Sequence, residues 1–369
     1  MLANDVGQIG SLVCEPYRRD GRGMDRWLIR WRLTPLLLAP WWLTLCVLGL
    51  VACHEPVPVA ESEPSATEAS ATEGLAPKGL ATEPFLIVLG IAQDAGYPQA
   101  GCSKACCRRA GAFSERRRHA SSLALVDPET SQRWLFEATP DFRHQLQGLD
   151  ERFPPESSPG LAGIFLTHAH MGHYTGLLHL GREVMGAQGV PVFAMPRMGD
   201  FLESNGPWEQ LVELGNIALQ PLESGIAVQL NERLRVTPIL VPHRDEYSET
   251  VGFLIEGPQR SVFFLPDIDK WERWETPIES LLERVDIAYL DGTFYSDGEI
   301  PGRDMAEIPH PFIAESLRRF SALGEEDRSK VRFIHLNHTN PALQPDSEAR
   351  EEIEALGFSL AEELEEIRL

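Results

Sequence analysis

Three imidazoles fall within six residues, in the run Thr167-His168-Ala169-His170-Met171-Gly172-His173. They follow the apolar stretch Gly163-Ile164-Phe165-Leu166 and precede Tyr174-Thr175-Gly176-Leu177-Leu178, so the run sits where a strand gives way to a helix. Residues two apart on an extended segment face the same side, which turns His168 and His170 toward one ion. The first helical turn carries His173 to a neighbouring position. Single histidines are usually solvated or satisfied within a core, but three at this spacing in a chain with 11 histidines read as a metal cluster.

From Pro84 onward, short β-rich runs alternate with helical stretches. Apolar patterning predicts strands at 85–91, 122–126, 134–137, 163–167, 190–194, 234–241, 250–256, 261–265, 287–290 and 331–336. Helices are expected at 141–149, 173–185, 198–205, 277–284, 311–320 and 347–356. Elements mixed in this way predict one layered α/β domain over 84–369. Loops that follow strands are where such domains place reactive groups, and here they carry Asp141, His243, Asp267, Asp291, Tyr295, His335 and His338. Asp141 reads either as a helix N-cap or as a carboxylate that orients a ligand histidine. Asp291 and Tyr295 point to the same edge, as substrate contacts or as supports behind a ligand, with packing the plainer role for Tyr295. His310, between two prolines, reads as a loop cap, and Arg116-Arg117-Arg118-His119 as a solvated turn. A Gly-x-Ser-x-Gly elbow and a Gly-rich phosphate loop are both missing from the sequence, which disfavours serine hydrolases and nucleotide kinases.

A net charge of −22 argues against nucleic acid as a partner and leaves a small-molecule substrate. The first 53 residues read as a targeting segment: Arg26, Arg30 and Arg32 precede the uncharged stretch 33–52. That stretch is also near the length of a membrane-spanning helix. It ends in Leu50-Val51-Ala52-Cys53, which resembles the lipobox of bacterial lipoproteins and implies cleavage before Cys53 and lipidation of its thiol. The domain would then be exported and lipid-anchored in the cell envelope facing the periplasm, with His54 favouring the outer membrane. Residues 54–83 are dominated by Glu, Ser, Ala, Thr and Pro and read as a disordered tether.

The order of candidate ligands carries a resemblance. Asp141 at a helix start, the histidine cluster, His243 about seventy residues on, then Asp267 and His335 after successive strands resemble the metallo-β-lactamase fold family. Flanking segments resemble the coenzyme PQQ biosynthesis protein B family: Tyr97-Pro98-Gln99 before a cysteine cluster, Glu137-Ala138-Thr139-Pro140-Asp141-Phe142-Arg143, Asp291-Gly292-Thr293-Phe294-Tyr295 and Ile334-His335-Leu336-Asn337-His338-Thr339-Asn340-Pro341. The resemblance implies a four-layered αββα sandwich with one or two metal ions at one edge, zinc first and iron or manganese as alternatives. It implies His168, His170 and His243 as ligands of one ion, Asp267 as a bridge, and His173 with His335 for a second, His338 being the alternative to His335. The implied chemistry is hydrolysis of an ester, lactone or phosphodiester by a metal-bound hydroxide, with His168, His170, His243 and Asp267 as the catalytic set. An iron- and oxygen-dependent enzyme related to the PQQ protein is the alternative, and a non-catalytic periplasmic metal-binding protein a third.

Two departures qualify the resemblance. Gly172 stands where the superfamily places an Asp, so the second ion is expected to bind weakly or not at all, with His338 as partial compensation. The PQQ protein lacks the paired histidines that this chain retains at 168 and 170. The resemblance also implies a structural zinc at Cys102, Cys106 and Cys107, with His119 as a candidate fourth ligand. A disulfide from Cys102 to Cys106 or to Cys107 is the competing expectation.

Overall fold

The layering follows from how the apolar runs alternate. In the computed structural model, which describes residues 82–369, the strands run β1 (Phe85–Gly90), β2 (Ser122–Asp127), β3 (Gln132–Phe136), β4 (Gly163–Phe165), β5 (Val190–Ala194), β6 (Ile217–Pro221), β7 (Val228–Gln229), β8 (Arg235–Val241), β9 (Thr250–Glu256), β10 (Ser261–Leu265), β11 (Ile287–Asp291), β12 (Val331–Ile334), β13 (Ser359–Leu360) and β14 (Glu366–Arg368). The targeting segment, Cys53 and all but the last two residues of the tether lie outside the described residues. Among the described residues, no helix is long and apolar enough to cross a membrane.

Two seven-stranded sheets form, in the orders β14-β1-β2-β3-β4-β5-β6 and β13-β12-β11-β10-β9-β8-β7. Successive side chains on a strand face opposite ways. Leu86, Val88, Leu123 and Leu125 therefore face the core shared by the sheets, while Phe85, Ile87, Leu89, Ala124 and Val126 face outward. Burial on both faces is why these strands read as unbroken apolar runs. Phe253 of the second sheet packs between Phe136 and Phe165 of the first, at ring-centroid distances of 5.6 and 5.5 Å. Helices close the outer faces. Phe142–Arg152 and Pro196–Ser204 bury Phe142, Leu146, Leu149, Met198 and Leu202 against the first sheet. Ile313–Arg319 and Glu348–Ala355 bury Ile313, Leu317 and Ile353 on the second. The result is the αββα sandwich.

The two sheets are stitched together at one edge. Leu336 N–H donates to Ile91 C=O at 2.8 Å and Gln93 N–H to Leu336 C=O at 2.9 Å, joining the exits of β1 and β12. Some boundaries shift from the sequence expectation. Strand β12 stops at Ile334 because His335 has φ of 63°, outside the strand region. The helix expected from 173 starts at Met171, two residues before His173, and passes into a 3-10 turn over Thr175–Leu180.

Candidate metal centre

Most groups of the site follow the carboxyl end of a strand at this edge: Asp94 beyond β1, Glu137 at the end of β3, the cluster after β4, His243 after β8, Asp267 after β10, Asp291 closing β11 and His335 after β12. One nitrogen from each of His168, His170 and His243 lies within 4.8 Å of the others. His168 Nε2 is 2.8 Å from His170 Nδ1. A second group brings Asp94 Oδ1 to 3.4 Å from His173 Nε2 and 3.7 Å from His335 Nε2. Asp267 reaches both. Its Oδ2 lies 2.9 Å from His173 Nε2 and 3.3 Å from His335 Nε2, and its Oδ1 lies 3.8 Å from His243 Nε2.

Groups behind the imidazoles fix their orientation. Thr167 Oγ1 sits 2.9 Å from His168 Nδ1, leaving Nε2 for the site, and Glu246 Oε2 sits 3.1 Å from His170 Nε2, leaving Nδ1. Thr293 donates its only hydroxyl proton to Asp291 Oδ1 at 2.7 Å, so the same oxygen, 3.0 Å from His335 Nδ1, accepts from that nitrogen. The other ring nitrogen, His335 Nε2, faces Asp267 Oδ2 at 3.3 Å. Glu137 Oε2 lies 3.6 Å from His173 Nδ1. Asp94, Glu137 and His335 hold φ of 32°, 80° and 63°, a backbone region that costs side-chain-bearing residues about 1–3 kcal/mol each and that concentrates at functional sites.

Charge is divided unequally among the imidazoles. Burial, reinforced by the neighbouring imidazoles, holds His168 well below the usual histidine range, and burial pushes His243 down to about 3 and lowers His170. These are neutral lone-pair donors. At His173 burial also opposes charge, but Asp267 and Glu137 outweigh it and raise the imidazole well above its usual range. Burial likewise disfavours the charge on Asp267, yet His335 and His173 hold its carboxyl well below the usual range. Both ring nitrogens of His173 and of His243, Nε2 of His335 and Oδ2 of Asp267 are buried and make no well-aligned hydrogen bond. Each such orphan ordinarily costs about 1–3 kcal/mol, and their concentration on one spot calls for a shared partner. Imidazole and carboxylate donors in these numbers fit divalent zinc, manganese or iron.

The structure moves several residues away from their expected roles. His338 does not join His335: its Nδ1 lies 3.3 Å from Cys107 Sγ and 3.7 Å from Cys106 Sγ. It completes a group of three thiols and one imidazole with Cys102, while His119 turns away to Glu363 at 3.5 Å. The three cysteines are free thiols, the Cys102 and Cys106 sulfurs standing 3.8 Å apart, so the disulfide expectation is corrected. Asp141 neither caps its helix through its side chain nor touches a ligand; it accepts from Ala120 N–H at 2.8 Å. Tyr295 donates its hydroxyl proton to Glu352, on the helix behind the second sheet, and leaves the site. Asp291 is fully buried and accepts from Ile268 N–H at 3.1 Å, so it supports the loop of Asp267 from behind.

Two members of the cluster escape the sequence reading. His310, read as a loop cap, lies with its Nδ1 2.7 Å from Asp291 Oδ2 and 3.5 Å from Asp267 Oδ1. Asp94 sits in the turn Gln93-Asp94-Ala95-Gly96, and the usable signal was its place in the loop that follows the first strand.

This combination, an αββα sandwich with paired histidine–carboxylate groups at one loop edge, defines a metallo-β-lactamase-type domain. The sequence pattern of the beta-lactamase superfamily domain matches residues 132–360, and the chain belongs to that family. Among individual proteins it is similar to coenzyme PQQ synthesis protein B of Nitrosococcus oceani, 29% identical over 305 residues that span 74% of this chain and 96% of the relative. The same protein of Gluconacetobacter diazotrophicus is 26% identical over 75% of this chain and 96% of its own length. Zn(2+)-bound PqqB from Methylobacterium extorquens superposes with a TM-score of 0.65 at 24% identity, covering 77% of this chain and 100% of that one. A diphosphatase from the PhnP family superposes at 0.56 with 21% identity, over 78% and 97% of the two chains.

Proposed function

We propose that this protein is a metal-dependent hydrolase of a small ester, lactone or phosphodiester. The observation that carries the reading is that one buried carboxylate, Asp267, touches both donor groups. His168, His170 and His243 would hold one divalent ion, and His173 with His335 a second. When bound, such ions polarise a carbonyl or phosphoryl oxygen and bring the pKa of a coordinated water towards about 7. The chain's own groups complete the chemistry. Asp267 positions the attacking water and accepts its proton. His310, held at Nδ1 by Asp291, is the group placed to return a proton to the leaving oxygen. The PhnP-family diphosphatase with a similar fold makes phosphate esters the first class to try.

A second reading, an iron enzyme that uses oxygen, is favoured by the three-histidine and carboxylate donor set and by similarity to PQQ synthesis proteins. The two separate in one comparison. Full-length protein loaded with zinc, manganese or iron is assayed on aryl esters, lactones and bis(aryl) phosphates and, in parallel, for oxygen uptake. Turnover that a chelator abolishes and zinc or manganese restores supports hydrolysis. Oxygen uptake with iron and no hydrolysis overturns it.

The cysteine group is proposed as a structural zinc site, since three thiols and an imidazole match the tetrahedral set zinc prefers. Burial pushes the Cys107 thiol up to about 12, and a cation beside it would favour the thiolate. Cys107→Ser is expected to remove one zinc equivalent and lower stability by about 2 kcal/mol, roughly 4–8 °C at a midpoint sensitivity of about 2–4 °C per kcal/mol. Metal analysis and thermal melts check both. Export is proposed on the charge pattern of 1–53, with Cys53 lipidated, the domain anchored in the envelope facing the periplasm, and 54–83 as its tether.

A further inference from the structure

We propose that Asp94 replaces the metal-binding carboxylate that Gly172 lacks, so that the second group is a complete ligand set of Asp94, His173, His335 and Asp267. The inference rests on the two-ion reading above and names the residue that makes the second ion possible.

The geometry is one of exchange. A Cβ built on Gly172 would lie 2.2 Å from Asp94 Oδ1, 2.5 Å from Asp94 Cα and 2.8 Å from Asp94 Cβ. Asp94, backbone and side chain together, therefore fills the volume that a residue-172 side chain would enter, and glycine at 172 is what lets the turn approach so closely. From that volume Oδ1 faces the two imidazoles whose Nε2 atoms are buried and lack aligned partners. Both histidines are nearly inaccessible, His173 at 2% and His335 at 1% exposure.

The turn that carries Asp94 is also tied to the segment after His335. Gln93 N–H donates to Leu336 C=O at 2.9 Å, Gly96 N–H closes the turn on Gln93 C=O at 3.0 Å, and Asn337 Nδ2 donates to the Gln93 side chain. The turn is thus fastened to the residues that directly follow His335. Its φ of 32° is a strained value that this bracing maintains. A ligand that came with the histidine helix in the resembled family comes here from the loop after β1, which packs against Gly172.

Manganese tests this directly, because it prefers oxygen and imidazole donors over the thiols of the cysteine group and two neighbouring manganese ions give a spin-coupled electron paramagnetic resonance signal. The full-length parent is expected to show the coupled signal with two equivalents bound. Asp94→Ala, and Asp94→Asn as the shape-preserving control, are expected to show isolated ions only, with the second equivalent weakened by at least the roughly 10–100-fold that losing a partner behind a ligand costs. Gly172→Ala, whose Cβ would meet Asp94 Oδ1, Cα and Cβ at 2.2, 2.5 and 2.8 Å, is expected to displace the turn and weaken the second ion in the same way. A coupled pair that survives unchanged in Asp94→Ala and Asp94→Asn overturns the role of Asp94 and leaves the two-ion reading intact. A parent without the coupled signal overturns the two-ion reading and this proposal with it.

Discussion

Asp267→Ala is expected to lower affinity for ions at both groups and to reduce turnover by about 10³-fold. The rate figure corresponds to several kcal/mol of charge stabilisation at about 1.36 kcal/mol per tenfold. The cause is position: the carboxylate lies 2.9 Å from His173, 3.3 Å from His335 and 3.8 Å from His243, so one substitution reaches ligands of both groups. It also leaves His173 with Asp94 and Glu137 as its anions, at 3.4 and 3.6 Å. Asp267→Asn keeps the shape but not the charge and is expected to fail in the same way. His243→Ala should instead weaken the first group and spare the second. Calorimetric metal titration distinguishes these patterns. An Asp267→Ala protein that keeps one ion at parental affinity would show that the carboxylate is not shared.

Asp291→Ala is expected to be among the most destabilising single changes in the domain, by about 3–5 kcal/mol. Asp291 is fully buried and its two oxygens accept from Ile268 N–H at 3.1 Å, Thr293 N–H at 2.9 Å and Thr293 Oγ1 at 2.7 Å, with His310 Nδ1 at 2.7 Å. Removing the carboxylate strands these donors and leaves buried His310, whose raised pKa Asp291 maintains against burial, without its nearest anion. Ile268 adjoins Asp267, so ion affinity should fall along with stability. Asp291→Asn should recover part of the loss, because one amide oxygen can still accept while the amide nitrogen opposes a donor. Urea unfolding of chelator-treated protein isolates the folding term from ion binding, and a loss below 1 kcal/mol would contradict the bracing role.

How far the sequence reaches depends on whether a feature is local. Strands 250–256 and 261–265 match the observed β9 and β10 because burial on both faces leaves an apolar signature that needs no knowledge of the partners, and 190–194 matches β5, where buried Val190, Val192 and Ala194 alternate with half-buried Pro191 and Phe193. Strands β13 and β14, of two and three residues, exist through their pairing with β12 and β1 and carry no comparable local pattern. The histidine cluster was legible because three imidazoles at that spacing are rare. Asp94 was not, since an Asp before Ala-Gly looks like any turn until the joining of β1 to β12 brings it beside His335. Gly172 was the local clue: a missing carboxylate in an otherwise complete cluster signals a substitute from elsewhere. The fourth member of the cysteine group shows the opposite error. His119 is near the cysteines in sequence, but His338, more than 200 residues away, is the one that folding delivers.

Anomalous diffraction from crystals of the protein grown with zinc or manganese, collected on either side of the metal's absorption edge, tests the two-ion centre most directly. One ion is expected among His168, His170 and His243 and a second between His173 and His335, with an Asp267 oxygen facing each. Ions confined to the cysteine group, with none among the six imidazoles at the loop edge, would contradict it.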